Sequence, residues 1–282
     1  MTLTVKEALG LSSSLGAVSE SPHLDVQLLL ARVLGRDRPY LFAHPDQVLA
    51  QPQQVEFLEL VRRCQEGEPI AYISGTKEFW SIEIGVSPDV LIPRPETEIL
   101  VELALSLFSD QPIQVAELGT GSGAVAVALA SERTGWNILA SDISMAALLV
   151  ADANIERVLG GKSNIRLALA DWCQPLRQQC FDLIISNPPY VQPADPLLGK
   201  PPLVYEPAGA LVAAPDGLGD ISKIIEVARS CLKPGGWLIL EHGSDQLQMV
   251  CDNLTAAGYL HIESKKDLGG HNRAICAQTP EP

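Results

Sequence analysis

From residue 93 onward, apolar runs of strand length alternate with stretches of helical periodicity, and no other feature restricts the fold of this 282-residue chain as strongly. Strands are predicted at Gln114–Leu118, Asn137–Ser141, Ile165–Ala170, Phe181–Ser186, Gly236–Glu241, Tyr259–Ser264 and Arg273–Gln278. Helices are predicted at Glu98–Phe108, Ser122–Thr134, Met145–Leu159, Asp220–Leu232 and Asp245–Ala257. Parallel strands need long crossovers, and helices of this length supply them. The expected class is therefore α/β, with a mostly parallel seven-stranded sheet covered by helices on both faces. Ligands in such sheets bind beyond the carboxyl ends of the strands. Gly119, Asp142, Asp171 and Asn187 each stand at or just past a predicted strand end, so one crevice can gather all four.

Ahead of this region the periodicity differs. Residues 1–73 read as helices only and form a small all-helical domain. Ser21-Pro22 starts one helix, a capping hydroxyl followed by proline in the first turn, with Leu24, Leu28 and Ala31 at helical spacing. Gln51-Pro52 starts another, with Val55, Leu58 and Val61 along its stripe. From Thr76 to Leu91 the pattern becomes extended, with a break at Gly85, and residues 74–92 read as a β-hairpin linker. The α/β domain then spans 93–282. The helical module carries no catalytic constellation, which leaves recognition as its contribution.

The six cysteines show no CxxC and no histidine at metal-ligand spacing, so they read as reduced, mostly buried thiols, and no metal is expected. No apolar run is long enough to span a bilayer and the N-terminus lacks a signal pattern, which points to a soluble cytoplasmic protein.

Asn187-Pro188-Pro189-Tyr190 follows directly on the strand-forming run Phe181–Ser186. A planar NH2 group holds its lone pair in conjugation, so an enzyme that alkylates it must grip both hydrogens and aim the lone pair. The side-chain carbonyl of Asn187 can accept one N–H and the backbone carbonyl of Pro188 the other. Consecutive prolines set the direction of those carbonyls in advance, and Pro189 is part of that rigid corner. Tyr190 can stack on the planar group.

Glu117-Leu118-Gly119-Thr120-Gly121-Ser122-Gly123 lies between the first strand of the α/β region and its helix, where glycines let the backbone approach a ligand. With Ala124 the loop also satisfies the dinucleotide fingerprint, and Asp142 stands about where a ribose-binding acid sits in that fold. Three features favour S-adenosyl-L-methionine instead. Glu117 begins the loop and can hold its turn or approach the methionine part. Asp142 can accept both ribose hydroxyls. Asp171 can accept from the adenine amino group while Trp172 covers the ring.

With the glycine loop, Asp142, Asp171-Trp172 and the Asn-Pro-Pro-Tyr tetrad in this order, the chain resembles the class I methyltransferases, and more narrowly the HemK/PrmC family. The likeness includes Phe79-Trp80, the stretch Leu91-Ile92-Pro93-Arg94-Pro95-Glu96-Thr97-Glu98, Tyr205-Glu206-Pro207, Asp216-Gly217-Leu218, Leu232-Lys233-Pro234-Gly235-Gly236 and Asp267-Leu268-Gly269-Gly270. It departs from the family in the proline-rich segment Val191–Val204 and at His271-Asn272-Arg273. The resemblance implies a Rossmann-like two-domain enzyme with its active site in the interdomain cleft. The implied reaction is transfer of a methyl group from S-adenosyl-L-methionine to the glutamine amide in the Gly-Gly-Gln motif of class 1 peptide-chain release factors. It further implies that Gly119 to Gly123 with Thr120, Gly121 and Ser122, together with Asp142, Trp172 and Asn187, contact the donor, and that Asn187 to Tyr190 hold the glutamine. Arg94 and Glu96 stay outside the expected catalytic set, and His242 reads as structural.

The tetrad alone serves an exocyclic base amine equally well, and a ribosomal-protein glutamine is a nearer alternative substrate. Twenty Lys and Arg against thirty-four Asp and Glu, a net charge of −14, disfavour a phosphate backbone, so no direct nucleic-acid partner and no membrane partner is expected.

Overall fold

The computed structural model describes residues 2–174, 176–213 and 217–281. Asp216 of the Asp-Gly-Leu segment lies outside the described residues. The chain divides into two compact units. The first comprises the stretch up to Thr76 together with Leu197–Tyr205, and the second comprises Lys77–Pro196 and Glu206 onward.

In the first unit, α1 (Val5–Leu9), a 3₁₀ turn (Gly10–Leu15), α2 (Pro22–Leu34), α3 (Arg38–Ala43), α4 (Gln51–Gln65) and α5 (Ile70–Ser74) follow one another. Thr4 caps α1 through a capping box with Glu7. Helix α2 starts at Pro22 as expected, but Ser21 makes no capping bond. Instead the Ser19 hydroxyl accepts from Ser21 N–H and donates to Asp25. Val26, Leu29 and Leu30 of α2 form the core with Phe57, Leu60 and Val61 of α4. The expected stripes hold only in part: Ala31 and Val61 are buried, whereas Leu24, Val55 and Leu58 are exposed. Both helices carry apolar residues around much of their circumference, so spacing does not select a face and packing does. The segment Leu197–Tyr205 joins this unit, with Pro201 so close to Gly67 that an added Cβ would lie 2.4 Å from it. Tyr205 also donates to the Glu66 carbonyl at 3.2 Å.

The second unit opens with the hairpin β1 (Thr76–Phe79) and β2 (Ile82–Gly85). Extended pairing stops at Gly85, short of the expected Leu91. Trp80 and Ser81 both take positive φ, 53° and 56°, the geometry of the tightest hairpin turn. Trp80 is held by Glu98 on its backbone N–H at 2.7 Å and by Glu132 on its indole N–H at 2.8 Å.

The remaining elements are α6 (Glu98–Leu107), β3 (Gln114–Leu118), α7 (Ala124–Glu132), β4 (Asn137–Asp142), α8 (Met145–Leu159), β5 (Ile165–Leu169), β6 (Phe181–Ser186), α9 (Ala208–Leu211), α10 (Gly219–Cys231), β7 (Leu232–Glu241), α11 (Leu247–Ala256), β8 (Leu260–Lys266) and β9 (Asn272–Gln278). The seven strands run in the order β5-β4-β3-β6-β7-β9-β8. Five are parallel, and β9 enters antiparallel to both β7 and β8. Ile221, Ile224 and Ile225 of α10 and Val250 and Leu254 of α11 pack on the inner strands β6, β7 and β9. The chain leaves β3 toward β4 and β5, then returns to place β6 on the other side of β3. That reversal opens a crevice beyond the carboxyl ends of β3 and β6, where Gly119 and Asn187 stand.

Candidate active site

A cavity of about 670 Å³ occupies this crevice, a size suited to one nucleoside-containing ligand. Its wall includes Gly119, Thr120, Gly121, Ser122, Asp142, Asp171, Trp172 and Asn187, so most of the residues expected at the donor site meet in one space.

Each is placed by the turn that follows its strand. Glu117, the penultimate residue of β3, is 4% exposed and accepts from the Thr120 hydroxyl at 2.7 Å and from Ala126 N–H at 3.1 Å. It thereby fastens the loop to the first turn of α7. Burial pushes its carboxyl up to about 8, against the pull of those two donors, and Asp142 raises it further. Gly119 has φ +72°, and a Cβ there would lie 3.3 Å from the Trp172 ring. Glycine therefore lets the loop and the indole form one wall. Gly123, with φ +79° against Ala151, is not on the cavity; it turns the chain into α7.

Asp142 holds Gly121 N–H on one carboxylate oxygen and Ser144 N–H on the other, each at 2.9 Å. Each oxygen keeps a lone pair for a ribose hydroxyl. Asp171 is exposed at the cavity mouth and ion-paired to Lys223 at 2.7 Å, which occupies its carboxylate. Trp172 takes a positive φ of 52° and borders the same wall. An acidic lining of Asp89, Asp142, Asp171 and Asp220 against Arg94 and Lys223 suits a cationic sulfonium. The donor set and the Gly119–Trp172 cradle thus fit S-adenosyl-L-methionine.

Within the tetrad, Asn187 and Pro189 border the cavity, whereas Pro188 is buried beside them. Tyr190 packs against the core of the sheet and donates its hydroxyl to Glu241 at 3.0 Å. Asn187 Nδ2 donates to the Thr97 hydroxyl at 3.1 Å, and Thr97 donates to the other oxygen of Glu241 at 2.7 Å. This commits the NH2 end of Asn187 and leaves its carbonyl for a ligand. Burial pushes Glu241 up to about 7 against the pull of Thr97, Tyr190 and Arg273, and Glu96 raises it. Burial and the Glu241 charge also push the Tyr190 hydroxyl well above its ordinary value.

Several participants escaped the sequence reading. Glu241 ends a predicted strand and Thr97 lies inside the Ile-Pro-Arg-Pro-Glu-Thr-Glu stretch, but no spacing rule joins them to a tetrad so far along the chain. Phe79 of the hairpin borders the cavity and is 1% exposed. Arg94 also borders it and pairs with the buried Glu206 carboxylate, which in addition accepts from Ile92 N–H at 3.3 Å. Glu96 is exposed and not on the cavity. Asn154 of α8 bonds Gly85 through both ends of its amide, at 2.7 and 2.8 Å, and Ser122 carbonyl at 2.8 Å. It ties the hairpin to the glycine loop. His242 is fully buried with Nδ1 on the Gly243 carbonyl at 2.8 Å, and burial lowers its basicity, as a structural role requires.

The cysteines are all free thiols, four of them buried. Among the described residues no cluster of His, Cys, Asp or Glu is arranged to hold a metal, and no helix is long and apolar enough to cross a membrane.

Residues 10–75 match the family model of the PrmC N-terminal domain, and residues 96–198 match that of the methyltransferase small domain. The chain is 46% identical over 278 residues to a release factor glutamine methyltransferase from Coxiella burnetii, covering 98% of this chain and 99% of the relative. It is 43% identical over 255 residues to a release factor glutamine methyltransferase from Escherichia coli, covering 90% and 91%. Among solved structures, a methyltransferase from Pyrococcus furiosus superposes with a TM-score of 0.54 at 21% identity over 79% of this chain and 98% of the other, a likeness of fold.

Proposed function

The chain belongs to the release factor glutamine methyltransferases of the HemK/PrmC family, and from that premise we propose residue roles for its reaction. The protein transfers a methyl group from S-adenosyl-L-methionine to the side-chain amide nitrogen of the glutamine in the Gly-Gly-Gln motif of class 1 peptide-chain release factors. The observation that carries the residue roles is the shared cavity, in which Asn187 at the end of β6 faces the loop that follows β3.

In this reading the glycine loop, Asp142 and Trp172 bind the donor, with Asp171 at the adenine edge and Glu117 holding the loop's shape. When bound, the sulfonium supplies an electrophilic methyl carbon. Asn187 Oδ1 accepts one N–H of the substrate amide and the Pro188 carbonyl accepts the other, while Pro189 keeps the corner rigid. Two acceptors so placed favour a pyramidal nitrogen over the planar ground state, an interaction that strengthens toward the transition state. The nitrogen so aimed would take the methyl carbon that the bound sulfonium would supply, with the thioether as leaving group, and Asn187 or water would accept the excess amide proton. Positioning supplies the rate, and no strong base is needed. Tyr190 contributes from behind the cavity by anchoring the tetrad to Glu241.

Residues 1–73 serve release-factor recognition, 74–92 the hairpin linker and 93–282 catalysis. The work of release factors on translating ribosomes supports a cytoplasmic location. The acidic surface, with its net charge of −14, supports a protein rather than a nucleic-acid substrate. Donor labelled in its methyl group, offered in parallel to a release factor, the same factor with its Gly-Gly-Gln glutamine replaced, a ribosomal protein and DNA, tests this. Label is expected only on the intact release factor; equal label on the replaced factor rejects the reading.

A further inference from the structure

An asparagine amide has the same shape in either flip but opposite polarity at its two ends. If Asn187 presented its NH2 to the cavity, it would set donors against the substrate's own N–H groups. Something must fix the flip, and on the cavity wall Thr97 stands against the amide.

We propose that Glu241, acting through the Thr97 hydroxyl, sets the polarity of Asn187 and is thereby a positioning residue for methyl transfer. This rests on the reading of Asn187 as the acceptor of the substrate amide. Thr97 has one hydroxyl proton, and that proton goes to Glu241 at 2.7 Å. Its oxygen then only accepts, so only the Nδ2 end of Asn187 fits against it, at 3.1 Å. The other Glu241 oxygen accepts from Tyr190 at 3.0 Å. Both ends of the tetrad are therefore referred to one carboxylate, 1% exposed at the end of β7 and next to β6, with Leu240 in register with Ser186.

A merely space-filling or bonding role does not need a carboxylate. A glutamine of the same shape satisfies both hydroxyls, yet it admits a flip that reverses the relay. With its carbonyl taking the Tyr190 proton, its NH2 donates to Thr97, the Thr97 proton turns to Asn187, and the amide flips. Protonated Glu241 allows the same reversal. The groups that act on it are the Thr97 and Tyr190 hydroxyls, Arg273 from β9 and, as a charge, Glu96 from the turn before α6. Arg273 gives its Nε to Asp267 at 3.3 Å, and burial outweighs its pull on Glu241. Since burial pushes Glu241 up to about 7, turnover falls as pH drops through that value.

The test uses the full-length enzyme with a release factor, reading kcat, KM, donor affinity by calorimetry and thermal melting. Glu241→Gln is expected to lose about 100-fold in kcat, the scale of one misplaced preorganised hydrogen-bonding group, with donor affinity within about twofold and the acid limb of kcat abolished. Thr97→Val is expected to lose as much, with Thr97→Ser restoring most of it. Thr97→Val added to Asn187→Ala is expected to cost nothing beyond Asn187→Ala alone. Wild-type kcat and pH profile in a folded Glu241→Gln overturns the inference, as does full additivity of Thr97→Val with Asn187→Ala. If melting shows Glu241→Gln unfolded, the Thr97→Val and Thr97→Ser pair decides by the same criteria. Near-normal kcat in Asn187→Ala removes the underlying reading; a crippled Asn187→Ala beside fully active Thr97 and Glu241 variants removes only the inference.

Discussion

Asn187 donates its side-chain N–H to the hydroxyl of Thr97 at 3.1 Å, joining the tetrad after β6 to the proline-flanked stretch that opens α6. Because that bond uses the NH2 end, the carbonyl is left for the proposed contact with the substrate amide. Asn187→Ala is expected to lower kcat by roughly 3–4 kcal/mol of transition-state stabilisation, about the cost of removing one oxyanion-hole donor. Donor affinity is expected to hold, since the glycine loop and Asp142 are untouched. Single-turnover kinetics with calorimetric donor titration checks both, and near-normal turnover contradicts the assigned role.

The contact of Gly119 with Trp172 gives a second test. Alanine at φ +72° costs about 1–2 kcal/mol in backbone strain, and its Cβ would press on the indole at 3.3 Å. Gly119→Ala is expected to weaken donor binding at least about tenfold, with the effect concentrated in KM for the donor rather than for the release factor. Equal affinity for the donor in this variant counts against the cradle.

The α/β alternation made the sheet readable because both periodicities are strong there: β3 and β6 occupy the residues that their apolar runs mark. The glycine loop, Asp142 and the tetrad were readable for the same reason, since each stands at or just past a strand end. Glu241 and Thr97 were not, because a tertiary hydrogen bond between residues so far apart leaves no periodic trace. Nor was the face of α4: Val55 and Phe57 are similarly apolar, and only packing buries the second. The assignment of Leu197–Tyr205 to the helical unit escaped for a related reason, as a proline-rich stretch carries no periodicity at all.

Asn154 supplies a stability prediction. Its amide satisfies Gly85 N–H, Gly85 carbonyl and Ser122 carbonyl, and it is 2% exposed. Asn154→Leu leaves the buried Ser122 carbonyl and the half-buried Gly85 groups without this partner, at a cost of about 2–4 kcal/mol. For a domain of this size the melting temperature is expected to fall by roughly 5–15 °C. Because Ser122 belongs to the donor loop, saturating donor should recover part of the loss. A variant that melts like the wild type shows that the hairpin and the loop are held by other contacts.

Glu117 makes the last prediction, in the pH dependence of stability. Its folded carboxyl is raised by burial to about 8 from an ordinary value of 4.5, so the folded state keeps a proton that the unfolded chain releases. The resulting stabilisation is complete below pH 4.5 and is lost progressively as pH rises to about 8, at up to about 1.4 kcal/mol per pH unit from this one group. Glu241 contributes in the same direction but only up to about pH 7. Glu117→Gln keeps an acceptor for Thr120 and Ala126 without an ionisable proton, so its stability should decline less steeply than the wild type's between pH 5 and 8. Urea denaturation across that range checks the difference in slope, and its persistence from pH 7 to 8 separates Glu117 from Glu241. Parallel slopes would show that Glu117 ionises normally inside the fold, and that the loop is held by a carboxylate rather than by a neutral acid.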